Sequence, residues 1–171
     1  MMTTRRGSGF TLVELIIVVA ILFMMLAVAM PLFFQIIAQR RLTGAVERVA
    51  NDLRYVQSLA VTQGLVHRLH SGAEGAVGRP GAYRLERDNG AGGWVAVADW
   101  YKPSVDYDGS GLQSITDHGG ATLASYDVQF NSQGAVANTG VGSYPIVLTL
   151  VGKSGATRTV QVLRTGVIRV P

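Results

Sequence analysis

The sequence predicts an α+β protein in which one long N-terminal helix lies against a C-terminal antiparallel β-sheet domain. Three observations predict it. Leu15 to Phe34 is an unbroken run of twenty apolar residues, counting Pro31. From Gln35 onward Leu42, Val46, Val49, Leu53, Val56 and Ala60 recur four and three residues apart, which is one face of a helix. Beyond Gly64 the apolar period falls to two, and clusters of Gly, Asn, Asp and Pro part the runs.

The apolar run comes first. At ~1.5 Å per residue it reaches ~30 Å, the thickness of a bilayer core, so residues 10–34 are expected to cross a membrane. Arg5 and Arg6 precede it and favour a cytoplasmic N-terminus; Arg40 and Arg41, beyond it, compete with that signal. Residues 35–64 form the amphipathic half of the same helix. Arg40, Arg41, Glu47, Arg48, Asp52 and Arg54 fall mostly off its apolar face, and Gly64 is placed to end it. No linker separates the halves, so one helix is expected from Phe10 to Gln63. Residues 65–171 form the globular part. Its expected strands are Leu65–His70, Ala82–Arg87, Trp94–Ala98, Ser125–Phe130, Pro145–Val151, Thr157–Leu163 and Val167–Val170, the last three close enough together for an antiparallel meander.

Composition narrows the function. The chain is 48% hydrophobic and 15% charged, too apolar for disorder and low in charge for a soluble enzyme. The net charge is +4; setting aside Arg5 and Arg6 leaves 13 basic against 11 acidic residues, a balance that argues against DNA as a partner. The absence of cysteine excludes disulfides, thiolate catalysis and zinc-thiolate sites.

One residue in the apolar region demands an explanation. Glu14 is a carboxylate in a segment where an acidic side chain costs on the order of 2.5–3.5 kcal/mol at the bilayer centre. An ordinary signal peptide, cut after Ala27-Val28-Ala29 to leave Met30 first, gives it no purpose. A twin-arginine signal fits poorly, because Gly7-Ser8-Gly9 follows the arginine pair. Gly9-Phe10-Thr11-Leu12-Val13-Glu14, with its short basic leader and the apolar tract behind it, resembles the processing site of type IV prepilins and type II secretion pseudopilins. The resemblance implies that residues 1–9 are a leader, removed on the cytoplasmic side by a prepilin peptidase that also methylates the new amine of Phe10. It implies a pilin-like fold, a single pass through the inner membrane, and a domain in the periplasm. Glu14 then acquires a role in assembly. In such filaments the glutamate of an incoming subunit meets the N-terminal amine of a neighbour, and a misplaced subunit leaves two charges unpaired. An intramolecular contact between Phe10 and Glu14 is the alternative. Pro31 removes a helix donor, and the family implies local loosening there during assembly.

Three further stretches narrow the resemblance. Leu53-Arg54-Tyr55-Val56-Gln57-Ser58-Leu59-Ala60, Phe130-Asn131-Ser132-Gln133-Gly134 and Gly166-Val167-Ile168-Arg169-Val170 are similar to the minor pseudopilins of the H type and to related minor pilins. The implied function is a minor pseudopilus subunit, near the tip, that supports protein export across the outer membrane. Its partners would be other pilins and the inner-membrane assembly platform. The alternative is a minor pilin that primes type IV pili or binds DNA during uptake. DNA-binding relatives carry a Gly-Arg-x-Arg motif, of which Gly166-Val167-Ile168-Arg169 keeps one arginine; Arg158 and Arg164 are the other candidates for phosphate contact.

Few residues offer chemistry. Asp106, Asp108, Ser110, Gly111 and Asp117 match positions of a calcium-binding EF-hand loop, making calcium the one candidate cofactor. Gln113 stands where an aliphatic belongs, Asp117 where a longer Glu belongs, and the flanks do not read as helices, so an acidic surface loop is the alternative. Gly152-Lys153-Ser154 lacks the remainder of a phosphate loop and reads as a hairpin turn. His67 and His70, three apart on a strand, face opposite ways. No nucleophile, base and orienting group assemble, so no enzyme is expected. Trp94, Trp100 and Tyr101 read as core or interface residues rather than a stacking platform.

Overall fold

The computed structural model describes residues 11–72, 81–123 and 126–171. The chain divides into two compact units, Met1–Ile37 and Ala38–Pro171. Helix α1, Leu12–Gln63, supplies the described part of the first unit and the leading element of the second.

In the first unit the helix begins at a side-chain cap. Thr11 Oγ1 accepts from the Glu14 backbone N–H at 3.3 Å, one half of a Thr-x-x-Glu capping box. The helix continues through Pro31. Its apolar side chains are exposed from Leu12 to Ile36, Met24 by 72% and Phe34 by 64%. Among the described helices this is the one long and apolar enough to cross a membrane. A surface of that kind needs lipid or other helices to cover it.

The second unit opens with the amphipathic part of α1. Leu42, Val46, Val49, Leu53, Val56 and Ala60 are buried as the spacing predicts, together with Ala45 and Ala50. Gly64 ends the helix with φ +67°, the left-handed conformation that glycine adopts at least cost. Strands β1 (His67–Ser71), β2 (Tyr83–Asp88) and β3 (Trp94–Ala96) follow, then a single-turn helix α2 (Pro103–Asp106), then β4 (Gly111–Thr116), β5 (Asp127–Phe130), β6 (Ile146–Val151), β7 (Thr157–Val162) and β8 (Ile168–Arg169).

The strands form two four-stranded antiparallel sheets, ordered β3-β2-β1-β5 and β4-β6-β7-β8. The inward residues of both sheets, among them Leu69, Tyr83, Phe130, Ile146, Leu148 and Val160, join the helix face in one hydrophobic core. Each fully buried aliphatic or aromatic side chain there contributes about 1.5–3 kcal/mol relative to exposure. The expected C-terminal meander is present as β6-β7-β8. The glycine-rich turn between β6 and β7 closes by a bond from Gly155 N to Gly152 O at 2.9 Å, and a strand follows it rather than a phosphate-binding helix.

Strand β4 and helix α2 are absent from the sequence reading. β4 pairs with β6 through a register shift between Leu112 and Ser114. The extra residue lets Leu112 and Ile115, three apart, both reach the core, whereas regular alternation would face them oppositely. That bulge conceals the period of two.

Candidate functional site

The processing site, Gly9 and Phe10, lies outside the described residues. Next to it, Glu14 is exposed on the first turn of α1, where negative charge is also favoured by the helix dipole. The Thr11 cap sets where the helix begins. The capping box was legible in the sequence as a threonine three residues before a glutamate, a signal masked by the longer motif around it. Pro31 lies within continuous helix, so its missing N–H leaves the carbonyl four residues earlier without its usual partner.

On the domain, the three sequence stretches that carried the narrower resemblance meet at one side chain. Gln57 Nε2 donates to the carbonyls of Gly134 at 2.7 Å and Gly166 at 3.1 Å. Gly166 adopts φ +88°, and a Cβ there would sit 2.0 Å from the Gly134 oxygen. One helix residue thereby holds the turn after β5 and the turn before β8. Sequence spacing does not reveal this contact, because its members are 77 and 109 residues apart.

The residues of the candidate calcium loop are spread over α2, the turn that follows it and the two ends of β4. Residues 111–116 are drawn out as β4, so Asp117 stands at the far end of a strand from Ser110. Asp106, in α2, accepts from Tyr101 Oη at 2.7 Å. Asp108 accepts from Arg41 at 2.5 Å. Asp117 is buried and accepts from Ala121 N at 2.9 Å, fixing the turn after β4. Among the described residues no three His, Cys, Asp or Glu side chains are placed to hold one metal ion. The pairing of β4 with β6 separates acidic residues that are close in sequence.

The candidate nucleic-acid arginines are also separated. Arg169 lies opposite Gln161 on β7 and shares its face. Arg158 is in step with the inward Val160 and Val162, so it lies on the face opposite to that of Arg169, exposed at the strand's start. Arg164 is exposed in the following turn, and its carbonyl accepts from Val136 N at 3.1 Å. These three do not form one basic track.

The face of the first sheet turned from the helix carries a charged network that sequence reasoning missed. Arg68 bridges Glu86 at 2.6 Å and Asp127 at 2.8 Å, both carboxylates fully buried. Its guanidinium lies 3.8 Å from the centre of the Trp94 ring, and Arg84, paired with Glu86, lies 4.9 Å from that of Trp100. Asn138 Nδ2 donates to Asp127 at 2.9 Å. Arginines thus occupy the tryptophan faces, and stacked charge replaces the expected core packing. His70 sits within the network against Trp100, 5.9 Å between ring centres. Burial, with Arg68 as the next contribution, pulls its pKa below the ordinary 6.5. At the opposite face, buried Tyr83 donates from Oη to Asp52 at 2.6 Å; burial first, then that bond, drive its pKa upward.

Comparison with known proteins adds five findings. The prokaryotic N-terminal methylation motif matches residues 4–30. The family model of the type II transport protein GspH matches residues 45–166, more than half of the chain. A comparison with curated protein sequences finds no match. Among solved structures, the minor pseudopilin EpsH from the type 2 secretion system of Vibrio cholerae aligns with TM-score 0.55 at 12% identity, over 77% of this chain and 96% of that one. The type IV minor pilin FimU of Pseudomonas aeruginosa, in two crystal forms, aligns with TM-scores 0.52 and 0.51 at 14% and 15% identity, over 78% and 76% of this chain and 90% and 92% of the other. Both likenesses are of fold.

Proposed function

This chain belongs to the family of the type II transport protein GspH, and from that premise we propose that it is a minor pseudopilin of a type II secretion pseudopilus. It is a structural subunit rather than an enzyme. The observation that carries the reading is a GspH domain at residues 45–166 on the same chain as a methylation motif at residues 4–30.

The assembly route follows from the residues. The subunit waits in the inner membrane with residues 38–171 on the periplasmic side. Cleavage between Gly9 and Phe10 by the prepilin peptidase frees an amine, which is methylated. The amine keeps its positive charge, so it remains a partner for a Glu14 carboxylate. In the apolar filament interior an unpaired charge costs several kcal/mol, so correct docking is the arrangement in which both charges are neutralised. The exposed apolar face of α1 then gains cover from neighbouring helices. The assembly platform supplies the site of addition, and the subunit lies near the tip of the filament.

Deleting the chain is expected to stop export of secreted proteins across the outer membrane while surface pili persist. Loss of pili with export intact would assign it instead to a type IV pilus. The likeness to FimU favours that second reading only at the level of fold.

A further inference from the structure

We propose that the domain, at the end where the chain enters it from the apolar segment, carries a docking surface for the anionic phosphate headgroups of the membrane. The inference rests on the reading that the apolar segment spans that membrane.

Three chain segments meet there. The Arg41 guanidinium binds Asp108 at 2.5 Å, and Lys153 Nζ lies 3.6 Å from the same oxygen. The Tyr107 ring packs so closely on the helix that a Cβ on Gly44 would lie 2.6 Å from its Cε1, and Gly152 lies against Leu42. Packing therefore fixes residues 40–44, 105–109 and 152–155 as one surface.

That surface has excess positive charge. Arg40, Arg41 and Lys153 stand against two acids in these segments, Asp108 and Asp106, the second of which accepts from Tyr101 Oη. Arg41 and Lys153 share the Asp108 carboxylate and stay 47% and 72% exposed. Arg40 is exposed and makes no ion pair among the described residues. Beside them the apolar Val105 is 78% exposed. Cations flanking an exposed apolar side chain suit the interface between headgroups and acyl chains. A guanidinium and an ammonium with unused donors suit phosphate oxygens.

Connectivity keeps these groups within reach of lipid. Arg40 follows Ile37 by three residues, at most about 11 Å even in extended chain. That is comparable to the headgroup layer, which adds about 5–8 Å to each side of the hydrocarbon core. Docking would hold the unassembled subunit at the membrane surface, and transfer into a filament would have to release it. An acidic face on a neighbouring subunit would exploit the same charges, so the test must separate the two.

The full chain is incorporated into nanodiscs of zwitterionic lipid, with or without phosphatidylglycerol, and amide hydrogen exchange is followed in peptides covering residues 102–110 and 150–156. Slower exchange in the anionic discs is expected, reversed by high salt and weakened about fivefold for each cation removed in Arg40→Gln and Lys153→Gln. Both side chains are exposed, so the variants retain the fold. Equal exchange in the two lipids would overturn the proposal. So would protection that appears only when other pilin subunits are added, whatever the lipid. A chain that fails to enter the discs would overturn the membrane reading beneath it.

Discussion

At the residue scale, two side chains illustrate how an awkward placement acquires a use. Glu14 stands in a segment that otherwise excludes charge, and its position at the helix start fits a carboxylate near capped backbone donors. Glu14→Ala should leave membrane insertion and leader cleavage intact while lowering incorporation into filaments at least tenfold, since about 3–5 kcal/mol is lost when one member of a buried pair is removed. Filament fractionation after cross-linking measures it. His70 is the second case. Nδ1 is buried with no partner among the described residues, and Arg68, Arg84, Glu86 and Asp127 surround the ring. Its folded pKa lies below 6.5, so the unfolded chain binds a proton that the folded chain refuses. Stability should therefore fall as pH drops through and below 6.5, and His70→Asn should flatten that decline in thermal melts of the detergent-solubilised chain. The network around His70 was hidden from sequence reading. Arg68, Glu86 and Asp127 come from three strands, and only the register of β1 with β2 and β5 brings them together.

At the element scale, the amphipathic half of α1 was readable because a helix repeats its core face every three or four residues. Each of the six apolar positions from Leu42 to Ala60 that the period selects is buried. Strand β4 was not readable. A bulge sets Leu112 and Ile115 out of alternation, and the acidic residues beside it mimic a metal loop. In a short segment, ligand-type residues obscure a broken strand pattern, and only pairing with β6 reveals the strand. The clamp at Gln57 belongs to this scale, because one helix residue ties down two turns. Gln57→Ala should cost about 1–3 kcal/mol by leaving two carbonyls without their donor. Gly166→Ala should cost about 2–4 kcal/mol, because a Cβ overlaps the Gly134 carbonyl at a left-handed φ. Exposed Arg54→Ala should change stability by no more than about 0.5 kcal/mol. Urea unfolding in detergent ranks the three.

At the scale of the whole molecule, the chain joins an apolar segment whose side chains are exposed among the described residues to a domain with a core of its own. The division falls at Ile37/Ala38, and the first buried side chain of the helix is Leu42. A protein so built needs lipid before assembly and other subunits afterwards. The GspH domain and the methylation motif supply the family in which that exchange takes place. The N-terminal motif was legible because it is contiguous, whereas the domain surface depends on contacts that only the fold creates. The central claim is that processing leaves the apolar segment, with Glu14, in the mature subunit. Intact-mass and N-terminal peptide mass spectrometry of the protein from its native membrane tests it most directly. The account predicts a chain that begins with methylated Phe10. A chain that begins at Met30 would have lost Glu14 and would contradict it.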